Sequence, residues 1–193
     1  MTLDEIRVEI DRIDRAIKPL ILERMGYSKL VAEAKKESGT DVFVPERELE
    51  IVEKRADDIE GEWKEEYTAI LRHLMGVSRR YQYGILKEMQ EQVCRKALEE
   101  AGIDCTEKHS AVVVLFVCPK YHGDLNLYID MIQLNQVPIK EFHAEEAGEQ
   151  LLCEVTLEGN VNDENMKRLL CQFGKEVPEF EIKSLIYKKS INI

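Results

Sequence analysis

The sequence contains no apolar run of eighteen residues, so no helical membrane span is expected. It is short of positive charge, with 27 Lys and Arg against 38 Asp and Glu, a net −11 that argues against nucleic acid as a partner. Five cysteines (Cys94, Cys105, Cys118, Cys153, Cys171) form no CxxC pair and no Cys/His ligand spacing. They read as reduced core or surface thiols, and neither a metal nor a disulfide framework is expected. The histidines His73, His109, His122 and His143 share no metal-ligand spacing either. Met1–Ile10 opens with acids in an amphipathic pattern, unlike a secretory signal, so a cytoplasmic location is expected. There is no internal repeat and no low-complexity segment.

What is present is 44% hydrophobic and 34% charged residues, the balance of a globular chain with much exposed helix. Thr2 and Glu5 form a capping box, followed by Ile6, Ile10, Ile13, Ile17 and Ile21 at helical spacing. This predicts a helix to about Lys36, stopping at Ser38-Gly39, with Pro19 kinking it or removing one hydrogen bond. A second helix is expected from Pro45, with Leu49, Val52, Ala56 and Ile59 on one face and Gly61 as its stop. A third, long helix is expected from Trp63 to Glu100, with Trp63 and Tyr67 in its core. Asp104–Lys108 reads as a linker.

From His109 the period changes. Ala111–Cys118 is a β-branched apolar run bounded by Pro119, the pattern of a buried strand. Gly123-Asp124 opens an amphipathic helix, Ile139–Ala144 and Leu151–Thr156 read as strands around Gly148, Asp163–Phe173 as a helix and Phe180–Tyr187 as a strand. That β-α-β-β-α-β order is the ferredoxin-like arrangement. The predicted class is α+β: a helical unit over residues 1–104, then a βαββαβ unit over 109–193.

The informative residues interrupt the stripes. Arg24 and Lys35, three turns apart, share a direction to within about 20°. Ser78 and Gln82 sit at i, i+4 within the stripe Leu71, Leu74, Ile85, Met89, and Arg47-Glu48 occupies the first turn of the second helix. Burying Arg24 and Lys35 unpaired costs several kcal/mol each, whereas a bound dianion would compensate both. Taken singly, each of these residues has a plain reading, a cation reaching out to water or a side chain satisfying the backbone. Arg7 precedes Arg24 by roughly 25 Å of helix and points about 100° away. To serve the same small ligand it must come from a second subunit, so the pattern calls for a homodimer.

The set Arg7, Arg24, Lys35, Arg47-Glu48, Met75, Ser78 and Gln82, in this order and on these helices, resembles the all-helical chorismate mutases, including the mutase part of mutase–prephenate dehydratases. The resemblance covers about residues 3 to 95 and implies an intertwined helical dimer. It implies that Arg24 and, from the partner subunit, Arg7 grip the two substrate carboxylates. Lys35 and Gln82 would donate to the ether oxygen, Glu48 would accept from the ring hydroxyl, Ser78 would add a carboxylate contact, and Arg47 would orient the site. Val44 stands where the family usually has Asp and contacts the hydroxyl through its main-chain NH. The implied reaction, chorismate to prephenate in phenylalanine and tyrosine biosynthesis, is unimolecular and needs no nucleophile, metal or cofactor.

The second unit resembles an ACT-type regulatory module, with Gly123-Asp124-Leu125 where that family has a Gly-x-Leu turn. An amino-acid effector is the expectation this raises. The Glu-Ser-Arg-Pro signature of phenylalanine-sensing members is missing, with His143-Ala144-Glu145-Glu146 roughly in its place. A dimerisation or scaffolding role without ligand is the competing expectation. Two further readings of the helical unit stay open: an isochorismate-pyruvate lyase on the same frame, and a non-catalytic shikimate-pathway binding module. Glu48 with the full cation set favours the mutase over the first, and the ether-oxygen donors Lys35 and Gln82 favour it over the second.

Overall fold

The computed structural model describes residues 1–105, 108–120 and 124–187. Helix α1 (Leu3–Ser38) starts on the capping box: Thr2 accepts from the Glu5 amide, and Glu5 accepts from the Thr2 amide at 2.7 Å. It ends on Gly39, whose φ of 69° lets its amide return to the Lys35 carbonyl. Pro19 lies within this one helix. Residues 1–23 are all exposed, so water can serve the carbonyl that Pro19 leaves without an amide. Helix α2 (Pro45–Ala56) has Pro45 in its first turn and buries Val52 and Ala56, stopping short of Ile59.

The single helix expected over Trp63–Glu100 is two helices, α3 (Trp63–Ile85) and α4 (Lys87–Glu100). Leu86, with φ −85° and ψ 62°, leaves the helical region between them. The buried side-chain Nε2 of Gln90 donates to the Tyr83 carbonyl at 2.5 Å, filling the place a continuous helix gives to the main-chain amide of residue 87. Trp63 and Tyr67, expected in the core, are exposed near the start of α3.

The remaining elements are β1 (His109–Pro119), α5 (Asp124–Leu134), β2 (Ile139–Ala147), β3 (Gln150–Glu158), α6 (Glu164–Glu176) and β4 (Glu181–Tyr187). The strands form one antiparallel sheet in the order β2-β3-β1-β4, the ferredoxin-like order, so the fold is a helical N-terminal region followed by an ACT-like α+β module. The Gly123 part of the Gly-x-Leu turn lies outside the described residues, as does part of the linker before β1. Val112, Val114, Phe116 and Cys118 are fully buried with Tyr128, Leu169 and Phe173 from α5 and α6. Each such side chain contributes about 1.5–3 kcal/mol by leaving water.

The two halves share packing. Helix α4 lies chiefly against α6 and sends Cys94 into the sheet's core, while Cys171 of α6 packs with Ala32, Val42, Tyr83 and Leu86. Gly174 permits the close approach of α6 to α4, since a Cβ there would stand 2.6 Å from Val93 Cγ1. Among the described residues no helix is long and apolar enough to cross a membrane.

Candidate active site

Helices α1, α2 and α3, with the loop between α1 and α2, border an open cavity of about 270 Å³. Arg24, Lys35, Val44, Arg47, Glu48, Ser78 and Gln82 all line it, so seven of the eight residues singled out from the sequence meet in one place. Tyr27, Ser28, Val31, Val42, Ile51, Met75 and Arg79 complete the wall. Convergence follows from the periodicities: Arg24, Ser28 and Lys35 descend one face of α1, Ser78 and Gln82 one face of α3, and Arg47-Glu48 enters from the first turn of α2.

Inside, Ser28 and Ser78 share a hydrogen bond of 2.6 Å, and Ser28 also bonds the Arg24 carbonyl at 3.2 Å. Gln82 Nε2 donates weakly to Ser78 Oγ at 3.4 Å, and its Oε1 is buried without a partner among the described residues. Lys35 Nζ donates to the Asp41 and Val42 carbonyls at 2.8 and 2.7 Å, tying the α1–α2 loop to the cavity. Arg24 Nη1 reaches the Leu74 carbonyl at 3.4 Å. Neither Arg24 nor Lys35 has a carboxylate within ion-pair distance among the described residues. Burial first, then Arg55, lowers the pKa of Arg24 against the pull of Glu48. Burial, then Arg47, lowers that of Lys35, with Glu48 and Asp41 opposing. Two half-buried cations thus share this cavity with Glu48 near them but in no direct ion pair with either among the described residues.

Arg7 is not in this cavity. It pairs with Asp4 at 3.3 Å on the exposed first turns of α1, where the stripe Ile6, Ile10, Ile13, Ile17 and Ile21 is 40–50% exposed.

The sequence reading missed Arg79 and its partner Glu176. Arg79 forms an ion pair with Glu48 through Nη1, while its Nε is held by both Glu176 oxygens at 3.1 and 3.0 Å, and its guanidinium lies 4.8 Å from the Phe43 ring centre. Burial acts against the Arg79 charge, but the two glutamates outweigh it and its pKa is raised. Burial pushes the Glu176 carboxyl up to about 7 against the pull of Arg79. One cation serving two carboxylates leaves an excess negative charge, and the more buried acid bears the penalty. The one local signal was that Arg79 directly follows Ser78.

A model of the family described as chorismate mutase type II matches residues 6–83. A bifunctional chorismate mutase/prephenate dehydratase of Aquifex aeolicus (strain VF5) is 48% identical over 52 residues, which is 27% of this chain and 14% of that relative. The chain thus spans only a small part of the relative's length.

Proposed function

From the premise that the N-terminal helical region is of the chorismate mutase type II family, we propose that this chain rearranges chorismate to prephenate in the cavity between α1, α2 and α3. One observation carries the reading: Arg24, Lys35 and Arg47 line a cavity with the neutral donors Ser78 and Gln82 and, among the described residues, a single acid, Glu48. A dianion relieves the mutual repulsion of the cations.

The chemistry asks for two things. Arg24 takes one carboxylate, assisted by Ser78, and holds the enolpyruvyl arm over the ring in a near-attack geometry. Lys35 and Gln82 donate to the ether oxygen, where negative charge grows as the C–O bond lengthens. Glu48 accepts from the ring hydroxyl, the Val44 main-chain NH is assigned a contact to the same hydroxyl, and Arg47 orients the mouth. No covalent intermediate or external proton is called for.

The second carboxylate is assigned to Arg7 of a partner subunit. The exposed isoleucine stripe of α1 supports this, because five half-exposed isoleucines on one face call for a cover, and a second copy brings its own Arg7 with it. In this proposal residues 1–104 form the catalytic unit and 109–193 the module open to an amino-acid effector, with α4 shared between the two cores. Loss of chorismate absorbance with the purified chain, with and without phenylalanine or tyrosine, tests the reading. Steady conversion to prephenate supports it, and an unchanged spectrum overturns it.

A further inference from the structure

A buried polar chain runs from the cavity into the C-terminal module. It begins at Glu48, which lines the cavity, and passes to Arg79, 4% exposed, and then to Glu176 on α6, 8% exposed. Glu176 Oε1 accepts from Gln172 at 3.3 Å, and Gln172 Oε1 accepts from Asn135 at 3.0 Å. Asn135 also donates to the Met131 carbonyl at 2.8 Å and accepts from Arg168 Nε at 2.6 Å. Gln172 and Asn135 are fully buried. Arg79, Glu176, Gln172 and Asn135 are each held by at least two contacts, and the chain spans α2, α3, α6 and the end of α5.

Such a chain is a poor adhesive. Two well-packed apolar residues would join α3 to α6 at least as well as a buried ion pair, whose desolvation offsets much of its attraction. What an apolar pair lacks is the capacity to divide the charge of Arg79 between two carboxylates. With Glu176 in place, Arg79 is drawn to both sides and Glu48 keeps accepting capacity toward the cavity. Without it, Glu48 is the sole ionic partner of a buried guanidinium and is pulled onto it.

We infer that Glu176, supplied by the C-terminal module, is a positioning residue for the cavity: it holds Arg79, and through Arg79 it sets the Glu48 carboxylate for the substrate's ring hydroxyl. This rests on the mutase reading above. The ACT-like module thereby completes the active site, in addition to any effector role.

The test is a double-mutant cycle on the full chain, measuring kcat and KM for chorismate below each variant's melting temperature. Glu176→Gln is expected to lower kcat/KM about tenfold in the wild-type background and less than about twofold in a Glu48→Gln background, because the two act in series. Should Glu176→Gln fail to fold, Glu176→Asp, which keeps the charge on a shorter arm, takes its place in the same cycle. Wild-type kcat/KM in the single variant, or an equal loss in both backgrounds, overturns the inference while leaving the mutase reading intact. A wild-type chain inert toward chorismate overturns both.

Discussion

Ser28 on α1 and Ser78 on α3 meet at 2.6 Å across the buried helix contact. This bond ties together two helices whose Arg24, Lys35 and Gln82 line the same cavity. Ser78→Ala removes it and the acceptor of Gln82, while Ser28 keeps the Arg24 carbonyl. The expected loss is about 1 kcal/mol of stability, read by denaturant unfolding, together with a lower kcat/KM.

Lys35→Ala is expected to cost about 3–4 kcal/mol in the barrier, two to three orders of magnitude in kcat, through loss of the donor at the ether oxygen. Far-ultraviolet circular dichroism should stay unchanged, since the backbone of α1 is fixed by its own ladder. Near-normal turnover in this variant would remove Lys35 from the mechanism.

Gln82→Glu puts a carboxyl where a neutral donor stood. Only the protonated form can donate, so the ratio of variant to wild-type kcat should fall about tenfold per pH unit above the variant carboxyl's pKa. A ratio constant from pH 5 to 8 would show that Gln82 does not touch the ether oxygen.

Arg7→Ala and Arg24→Ala should each be severely impaired alone. If each site takes Arg24 from one subunit and Arg7 from the other, a mixed dimer of the two variants holds one intact site. Unfolding and refolding the variants together should then recover about a quarter of the wild-type activity by random pairing. Recovery no greater than the sum of the two separate preparations would place both arginines on one subunit's site, or Arg7 outside it.

The Glu176 carboxyl sits at about 7 when folded, above its ordinary value of 4.5. The folded state therefore binds the extra proton between these values. The stability this group contributes is fully present below pH 4.5 and is lost as pH rises through 7. The total is on the order of 3 kcal/mol. Glu176→Gln mimics the protonated form, so its melting temperature relative to wild type should rise steadily between pH 5 and 8. A difference independent of pH would show that Glu176 does not titrate in this range.

Much of this was legible in the sequence for a definite reason. Arg24, Lys35, Ser78 and Gln82 interrupt apolar stripes whose period is set by the helix itself, so spacing showed that Arg24 shares a face with Lys35 and Ser78 with Gln82, while the meeting of the two faces was what the family resemblance implied. The strands of the second module were readable because β-branched runs such as Ala111–Cys118 have no competing periodicity. Arg79 and Glu176 were not legible: they are 97 residues apart, and each looks like one more surface charge until the fold brings them together. The break at Leu86 was hidden for a different reason. Both flanking segments are good helix, and the group that permits the break is a glutamine amide at Gln90 rather than a proline or glycine at the step.

That sideways step has a practical meaning for anyone who would trim this protein. A cut after residue 104 would strand α4 with the face carrying Val93 and Cys94 turned to water, and would take Glu176 from Arg79, leaving Glu48 as its one ionic partner among the described residues. Unfolding of the chain is therefore expected to proceed as a single cooperative event rather than as the successive loss of two beads on a string.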